Sequence, residues 1–145
     1  MAIDENNSGT CPVDRGLMRV GDRWSILILR DIERGLTRYD QMRTSLGIAP
    51  NILSRRLTAL TDAGLIEKRR YSQRPPRDEY LLTEAGRDFL PILAAIGAWG
   101  RKYNGKGALT RQIDVETGEP VRPVVIDANT SAPLGTRPLR FEYPD

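Results

Sequence analysis

The sequence predicts a mainly α fold with a small two-stranded β-hairpin, an α+β architecture, followed by a C-terminal β-rich extension. Three observations carry this. Apolar residues recur at helical spacing through most of residues 11–103. Within that stretch a helix opening at Pro50 meets a glycine stop at Gly64, and two strand-like runs joined by an Arg/Pro segment follow. Beyond Asn104-Gly105 the helical period is lost, and turn signals alternate with β-branched runs. The expected organisation is a flexible leader over residues 1–10, a folded domain over 11–103, and an extension of short strands over 104–145.

Met1 to Thr10 is polar, as a mobile leader would be. Cys11-Pro12 then opens a helix to about Val20, with Val13, Leu17 and Val20 as its inward stripe. Cys11 falls at or near the N-cap, where the helix dipole and free N–H groups favour an anion, and Arg15 lies four residues on. It is a candidate redox-sensing thiol; a packed, unreactive thiol is the alternative. Trp24 to Ile32 is apolar around most of its circumference, as a central buried helix would be. Arg34-Gly35-Leu36-Thr37 leads to a helix from Arg38 to about Leu46 with Tyr39, Met42 and Leu46 inward, and Gly47-Ile48-Ala49 makes a short turn.

The next helix starts at Pro50, whose missing N–H would be unpaired at that position anyway. Leu53, Leu57 and Leu60 form its inward face. Asn51, Arg55, Thr58 and Asp62 lie opposite, with Ser54 and Arg56 on the two flanks, so the pair of helices has helix-turn-helix geometry. Gly64 suits a left-handed helix end. Leu65 and Ile66 start a strand that passes through Lys68, Arg69 and Arg70 to Tyr71; Ser72 to Arg77 turn the chain, and Asp78 to Leu82 return. Pro75 and Pro76 cannot donate to a ladder and are expected in the loop. Thr83-Glu84 caps a last long helix to about Tyr103, with Pro91 marking a kink or a hand-over between helices.

That last helix is too apolar for one domain to cover, and a second subunit is its natural cover. The expected dimer interface comprises Val13, Leu17, Leu90, Leu93, Ile96, Trp99 and Tyr103, while a ligand pocket lined by Ile92, Ile96 and Trp99 is the alternative use of that surface. In the extension, Leu109 to Glu116 alternates weakly, Thr117 to Pro120 is a turn, Val121 to Ile126 has strand character and Pro138 to Tyr143 offers a third strand, together a small β-meander.

At 145 residues the chain suits one compact domain with an extension. One cysteine excludes an internal disulfide and the lack of histidine excludes a Cys/His metal cluster, so no cofactor or metal is expected. Asp114, Glu116, Glu119 and Asp127 have no partner spacing that argues acid/base work, and no enzyme is expected. No apolar run approaches a membrane span and no secretory signal opens the chain, so a soluble, cytoplasmic protein without membrane contact is expected. The net charge is +3, yet Asn51 to Asp78 alone carries seven basic residues against three acidic ones. Such a concentration is the electrostatic footprint of a phosphate-binding surface. Double-stranded DNA is the expected partner, with Arg38, Asn51, Ser54, Arg55, Arg56, Thr58, Arg69, Tyr71, Gln73, Arg74 and Arg77 as the candidate contacts. Arg55 is the candidate base reader, since Arg pairs bidentately with guanine, and Arg74 and Arg77 are backbone or minor-groove contacts.

The run GDRWSILILRDI (Gly21 to Ile32), followed by PNILSRRLTALTDAGLIEKRRY (Pro50 to Tyr71), PPRDEYLLTEAG (Pro75 to Gly86) and the upstream Cys11-Pro12, resembles the HxlR-type winged helix-turn-helix regulators over about Cys11 to Tyr103. The resemblance implies a dimeric, bacterial, DNA-binding transcription regulator. It also implies that Cys11 occupies a place where some members sense oxidants or electrophiles, a small-molecule effector being the other route of control. Ala49 departs from the family pattern, which favours Ser there as helix cap and phosphate contact. A winged helix used for protein interaction, without DNA, is the rival reading of the same scaffold.

Overall fold

The computed structural model describes residues 9–145, so most of the expected leader lies outside the described residues. Among the described residues eight elements follow in order: α1 Pro12–Val20, α2 Arg23–Glu33, α3 Tyr39–Leu46, α4 Pro50–Asp62, β1 Ile66–Gln73, β2 Pro76–Leu82, α5 Glu84–Asp88 and α6 Leu90–Tyr103. The described chain forms two units, one ending at Leu90 and the other spanning Pro91–Tyr143.

In the first unit the core lies under α2. Ile28, Leu29 and Ile32 of that helix are buried, as are Met42, Ile48, Leu53, Leu57, Leu60, Leu65 and Ile66. Asp22 caps α2: its carboxylate accepts the Ser25 amide at 2.9 Å and the Ser25 hydroxyl at 2.6 Å, satisfying an N-terminal donor that the helix cannot pair itself. Asp31 is also buried and accepts from the Arg30 guanidinium at 2.8 Å. Trp24, Ile26 and Leu27 are only half-buried, so α2 is less enclosed than its composition predicts.

Glycine ends α3 at Gly47, with φ +60, and Pro50 begins α4 three residues later. The cap of α4 is Ala49, whose carbonyl accepts the Leu53 amide at 3.0 Å but whose side chain offers nothing to the first turn. Gly64, at φ +78, takes the left-handed conformation, and the Leu65 amide returns to the Leu60 carbonyl at 3.0 Å, closing the helix end before the strand.

The hairpin is longer than the sequence suggests. β1 and β2 pair antiparallel from Ile66 opposite Leu82 to Gln73 opposite Pro76, with a bulge at Tyr71, so the turn is confined to Arg74-Pro75 rather than Ser72 to Arg77. Pro76 does not break the ladder because it opens β2, a position where no N–H is required of it. Past Thr83, which caps α5 through the Gly86 amide, the hand-over between α5 and α6 falls at Phe89 and Leu90, immediately before Pro91. Gly86 is buried, and a Cβ there would overlap the Leu65 carbonyl oxygen. Along α1 only Val20 is buried; Val13 and Leu17 are exposed, so the inward stripe of three reduces to one residue.

In the second unit α6 has no buried residue, and Ile92, Ile96, Trp99 and Tyr103 are exposed. The extension does not form the expected meander: neither Val121 to Ile126 nor Pro138 to Tyr143 is a strand, and the pairing there consists of two isolated bridges, Ile113 with Pro120 and Ile126 with Pro133. Strand-like composition alone supplies no neighbour to pair with. The two bridges close two copies of one turn. Ile113, Asp114, Thr117 and Pro120 recur thirteen residues later as Ile126, Asp127, Thr130 and Pro133. Asp114 accepts the Glu116 amide at 2.8 Å and Asp127 accepts the Asn129 amide at 2.8 Å. Thr117 accepts the Glu119 amide at 3.2 Å and Thr130 accepts the Ala132 amide at 3.2 Å. Gly118 and Ser131 hold the matching positive-φ positions. This repeat is present in the sequence and was legible there only as separate turn signals.

Candidate nucleic-acid interface

Burial of Leu53, Leu57 and Leu60 turns the opposite side of α4 outward. Asn51, Ser54, Arg55 and Thr58 are exposed on it, and Ser54, Arg55, Thr58, Ala59 and Asp62 line an open concavity. The hairpin carries Arg69 and Gln73 exposed on β1, Tyr71 half-buried, Arg74 exposed at the turn and Arg77 exposed on β2.

Residues 37–39 tie these two elements together. The Tyr39 hydroxyl donates to the Pro50 carbonyl at 2.9 Å and lies 3.4 Å from the Ser54 hydroxyl, engaging the first turn of α4. Next to it, the Arg38 guanidinium lies 4.2 Å from the centre of the Tyr71 ring on β1, a cation–π contact. The Thr37 carbonyl accepts the Tyr80 amide at 2.8 Å, and the Thr37 hydroxyl donates to Glu79 at 3.2 Å. Of these, Arg38, Ser54 and Tyr71 were legible as candidate site residues. Thr37, Tyr39 and Glu79 give no signal in sequence, because their partners are distant along the chain.

Four of the seven basic residues counted between Asn51 and Asp78 are spoken for. Arg69 donates to Glu79 at 2.6 Å, while Arg70 and Lys68 both pair with Asp78, at 3.3 and 3.6 Å. Arg56 is half-buried and pairs with Asp22 at 3.6 Å, linking α4 to the cap of α2. Arg55, Arg74 and Arg77 have no ion-pair partner among the described residues.

Of the carboxylates in these pairs, Glu79 and Asp22 are shifted in the same direction. For Glu79, the hydrogen bond from Arg69 lowers the pKa; burial opposes it, and Thr37 and the nearby Arg38 charge add to the lowering. Burial pushes the Asp22 carboxyl up, but the Ser25 hydroxyl and amide and the Arg56 charge outweigh it and leave it below its ordinary value.

Residues 19–108, from the end of α1 to just beyond α6, match the family model described as HxlR-like helix-turn-helix. The chain belongs to that family. A relative from Mycobacterium tuberculosis, an uncharacterised HTH-type transcriptional regulator, is 44% identical to this HxlR-like chain over 91 residues, covering 63% of this chain and 58% of the relative. Among solved structures, PA1607, assigned as a transcription factor, superposes with a TM-score of 0.83 at 36% identity and covers 91% of this chain and 94% of its own. The redox regulator HypR in its oxidised form superposes with a TM-score of 0.61 at 30% identity, over 65% of this chain and 98% of its own. The α2–α4 and β1–β2 arrangement is thus the winged helix-turn-helix of the HxlR-like family, with α4 in the place of the recognition helix and the hairpin as the wing. No helix among the described residues is long and apolar enough to cross a membrane.

Cys11 is partly exposed at the N-cap of α1, and its side chain makes no capping hydrogen bond. The Arg15 guanidinium donates to the Gly9 carbonyl.

Proposed function

We propose that this chain is a sequence-specific, DNA-binding transcription regulator that grips a two-fold symmetric operator as a homodimer. The observation that carries the reading is the set Arg55, Arg74 and Arg77: three exposed guanidinium groups without counter-charges among the described residues, on the two elements that winged helices offer to a duplex. Arg56, Lys68, Arg69 and Arg70 share three carboxylates, Asp22, Asp78 and Glu79, which offset most of their charge, so a polyanion meets the least compensated charge at Arg55, Arg74 and Arg77. In this reading Asn51, Ser54, Arg55 and Thr58 face base edges and adjacent phosphates, Arg74 and Arg77 with Gln73 follow the backbone or the minor groove, and Arg38 and Arg69 add positive field behind them. Arg56 is left out of the contact set.

The second subunit is the cover we assign to the exposed Val13 and Leu17 on α1 and Ile96, Trp99 and Tyr103 on α6, together with the half-buried Leu90 and Leu93. Cys11 is the site we assign to oxidant or electrophile control, supported by its partial exposure and by the likeness to a protein named as a redox regulator.

The experiment is selection of duplexes by the purified protein from random-sequence DNA, followed by binding across a salt series. With roughly six to eight phosphates neutralised per dimer, the log–log slope should lie around −5 to −7. Neutral substitution of Arg55, Arg74 and Arg77 together should abolish the shift. Unchanged binding in that triple variant, or no duplex selected at all, favours the protein-interaction reading. Diamide treatment of wild type and Cys11→Ser separates the redox element, since an equal response in both removes it.

A further inference from the structure

An acidic side chain sits among the cations of the proposed DNA surface, and its geometry is more specific than charge neutralisation needs. Both oxygens of Glu79 are used: one accepts Arg69 Nη2 at 2.6 Å and Nε at 3.2 Å, the other accepts the Thr37 hydroxyl at 3.2 Å. Its side chain is only 15% exposed, against 61% for Arg69. Arg69 is its cross-strand partner in the ladder, whereas Thr37 belongs to the segment leading into α3. The neighbouring Tyr80 amide donates to the Thr37 carbonyl, and Arg38 stacks on Tyr71, so every lateral tie of the hairpin named so far runs through residues 37 and 38.

A two-stranded ribbon standing alone is marginal and free to pivot about its base. Here the base is fixed where Thr83 donates to the Gly64 carbonyl at 2.6 Å and its amide to the Leu65 carbonyl at 3.1 Å. The ties at Thr37 add a second anchorage, farther toward the tip, and two anchorages remove the pivot.

We propose that Glu79 is a positioning residue: by joining Arg69 on the wing to Thr37 before α3, it sets the wing's angle relative to the recognition helix, so that Arg74 and Arg77 reach the duplex in the register fixed by Arg55. The proposal rests on the DNA-binding reading and makes a prediction of opposite sign to simple electrostatics. A carboxylate near phosphates repels them, and removing it should tighten binding if charge were its only effect. Removing a positioning group sacrifices preorganisation and weakens binding instead.

The test compares full-length wild type, Glu79→Ala and Glu79→Gln on a duplex selected by the wild type from random-sequence DNA. Glu79→Ala should weaken binding roughly tenfold, lower the salt slope by about 1, and speed hydrogen exchange at the Tyr80 amide. Glu79→Gln, which keeps an acceptor for Arg69 and a polar group for Thr37, should recover most of the affinity lost in the alanine variant. Binding by Glu79→Ala as tight as wild type, or tighter, overturns the proposal while leaving the DNA reading intact. Failure of the wild type to bind any duplex removes both. Should Glu79→Ala not fold, Thr37→Val deletes only the hydroxyl on the same carboxylate: weakened binding supports the proposal and unchanged binding overturns it.

Discussion

Arg55 and the wing arginines carry the same charge but should fail differently when removed. Arg55 stands on the outward face of the recognition helix, held there by the burial of Leu53 and Leu57 on the other side. Arg55→Ala should flatten preference at one position in each half-site, by about 1–3 kcal/mol of base discrimination. The Arg74→Ala/Arg77→Ala pair should instead weaken all duplexes alike and lower the salt slope by about 2 to 4, because a dimer carries two copies of each. Measuring affinity on single-base variants of the selected duplex, at several salt concentrations, separates the two. Arg56 neighbours Arg55 in sequence but pairs with Asp22, so Arg56→Ala should change base preference less than Arg55→Ala does.

Among the elements, the joint between α5 and the start of β1 is closely packed. Thr83 binds Gly64 and Leu65 while capping α5, and Gly86 lies against the Leu65 backbone with no room for a methyl group. Gly86→Ala should therefore destabilise the first unit by about 1–3 kcal/mol, read as a lower urea midpoint at unchanged slope. The helices on either side of this joint were legible because their signals are local: the Leu53–Leu57–Leu60 spacing, Pro50 opening α4, Gly47 and Gly64 closing helices, and Thr83 before α5. The hairpin's base was legible at Ile66 and Leu82, but its extent at the turn was not, because a proline reads as a ladder breaker unless it is known to open the strand, as Pro76 does. Val121 to Ile126 failed for the converse reason: β-branched residues had no partner strand. Half of the site was legible, as the outward face of α4 and the wing arginines. The ties through Thr37, Tyr39 and Glu79 were hidden because they join segments far apart in the chain, and the pairing of Arg56 with Asp22 was hidden for the same reason.

For the whole molecule, acid should reveal how much of the stability is carried by carboxylates. In the folded chain Asp22 and Glu79 sit below their ordinary values of 3.8 and 4.5, so the unfolded chain takes up protons first as the pH falls. Their stabilisation is fully present above those ordinary values and is lost as the pH drops through the depressed ones. The chain has no histidine to titrate between them and neutrality. The melting temperature should thus be flat from about pH 6 to 8 and fall below about pH 4.5, less steeply in Asp22→Asn. The C-terminal extension obeys a different logic. Each of its two turns is closed by near neighbours, and Gln112 and Val125 accept the equivalent closing amides, from Val121 and Leu134, both at 2.9 Å. Excising residues 113–125 would therefore splice Gln112 into the place of Val125, and the surviving cassette should keep the uncut chain's exchange rates at the Asp127, Asn129 and Ser131 amides, as though nothing upstream had been cut.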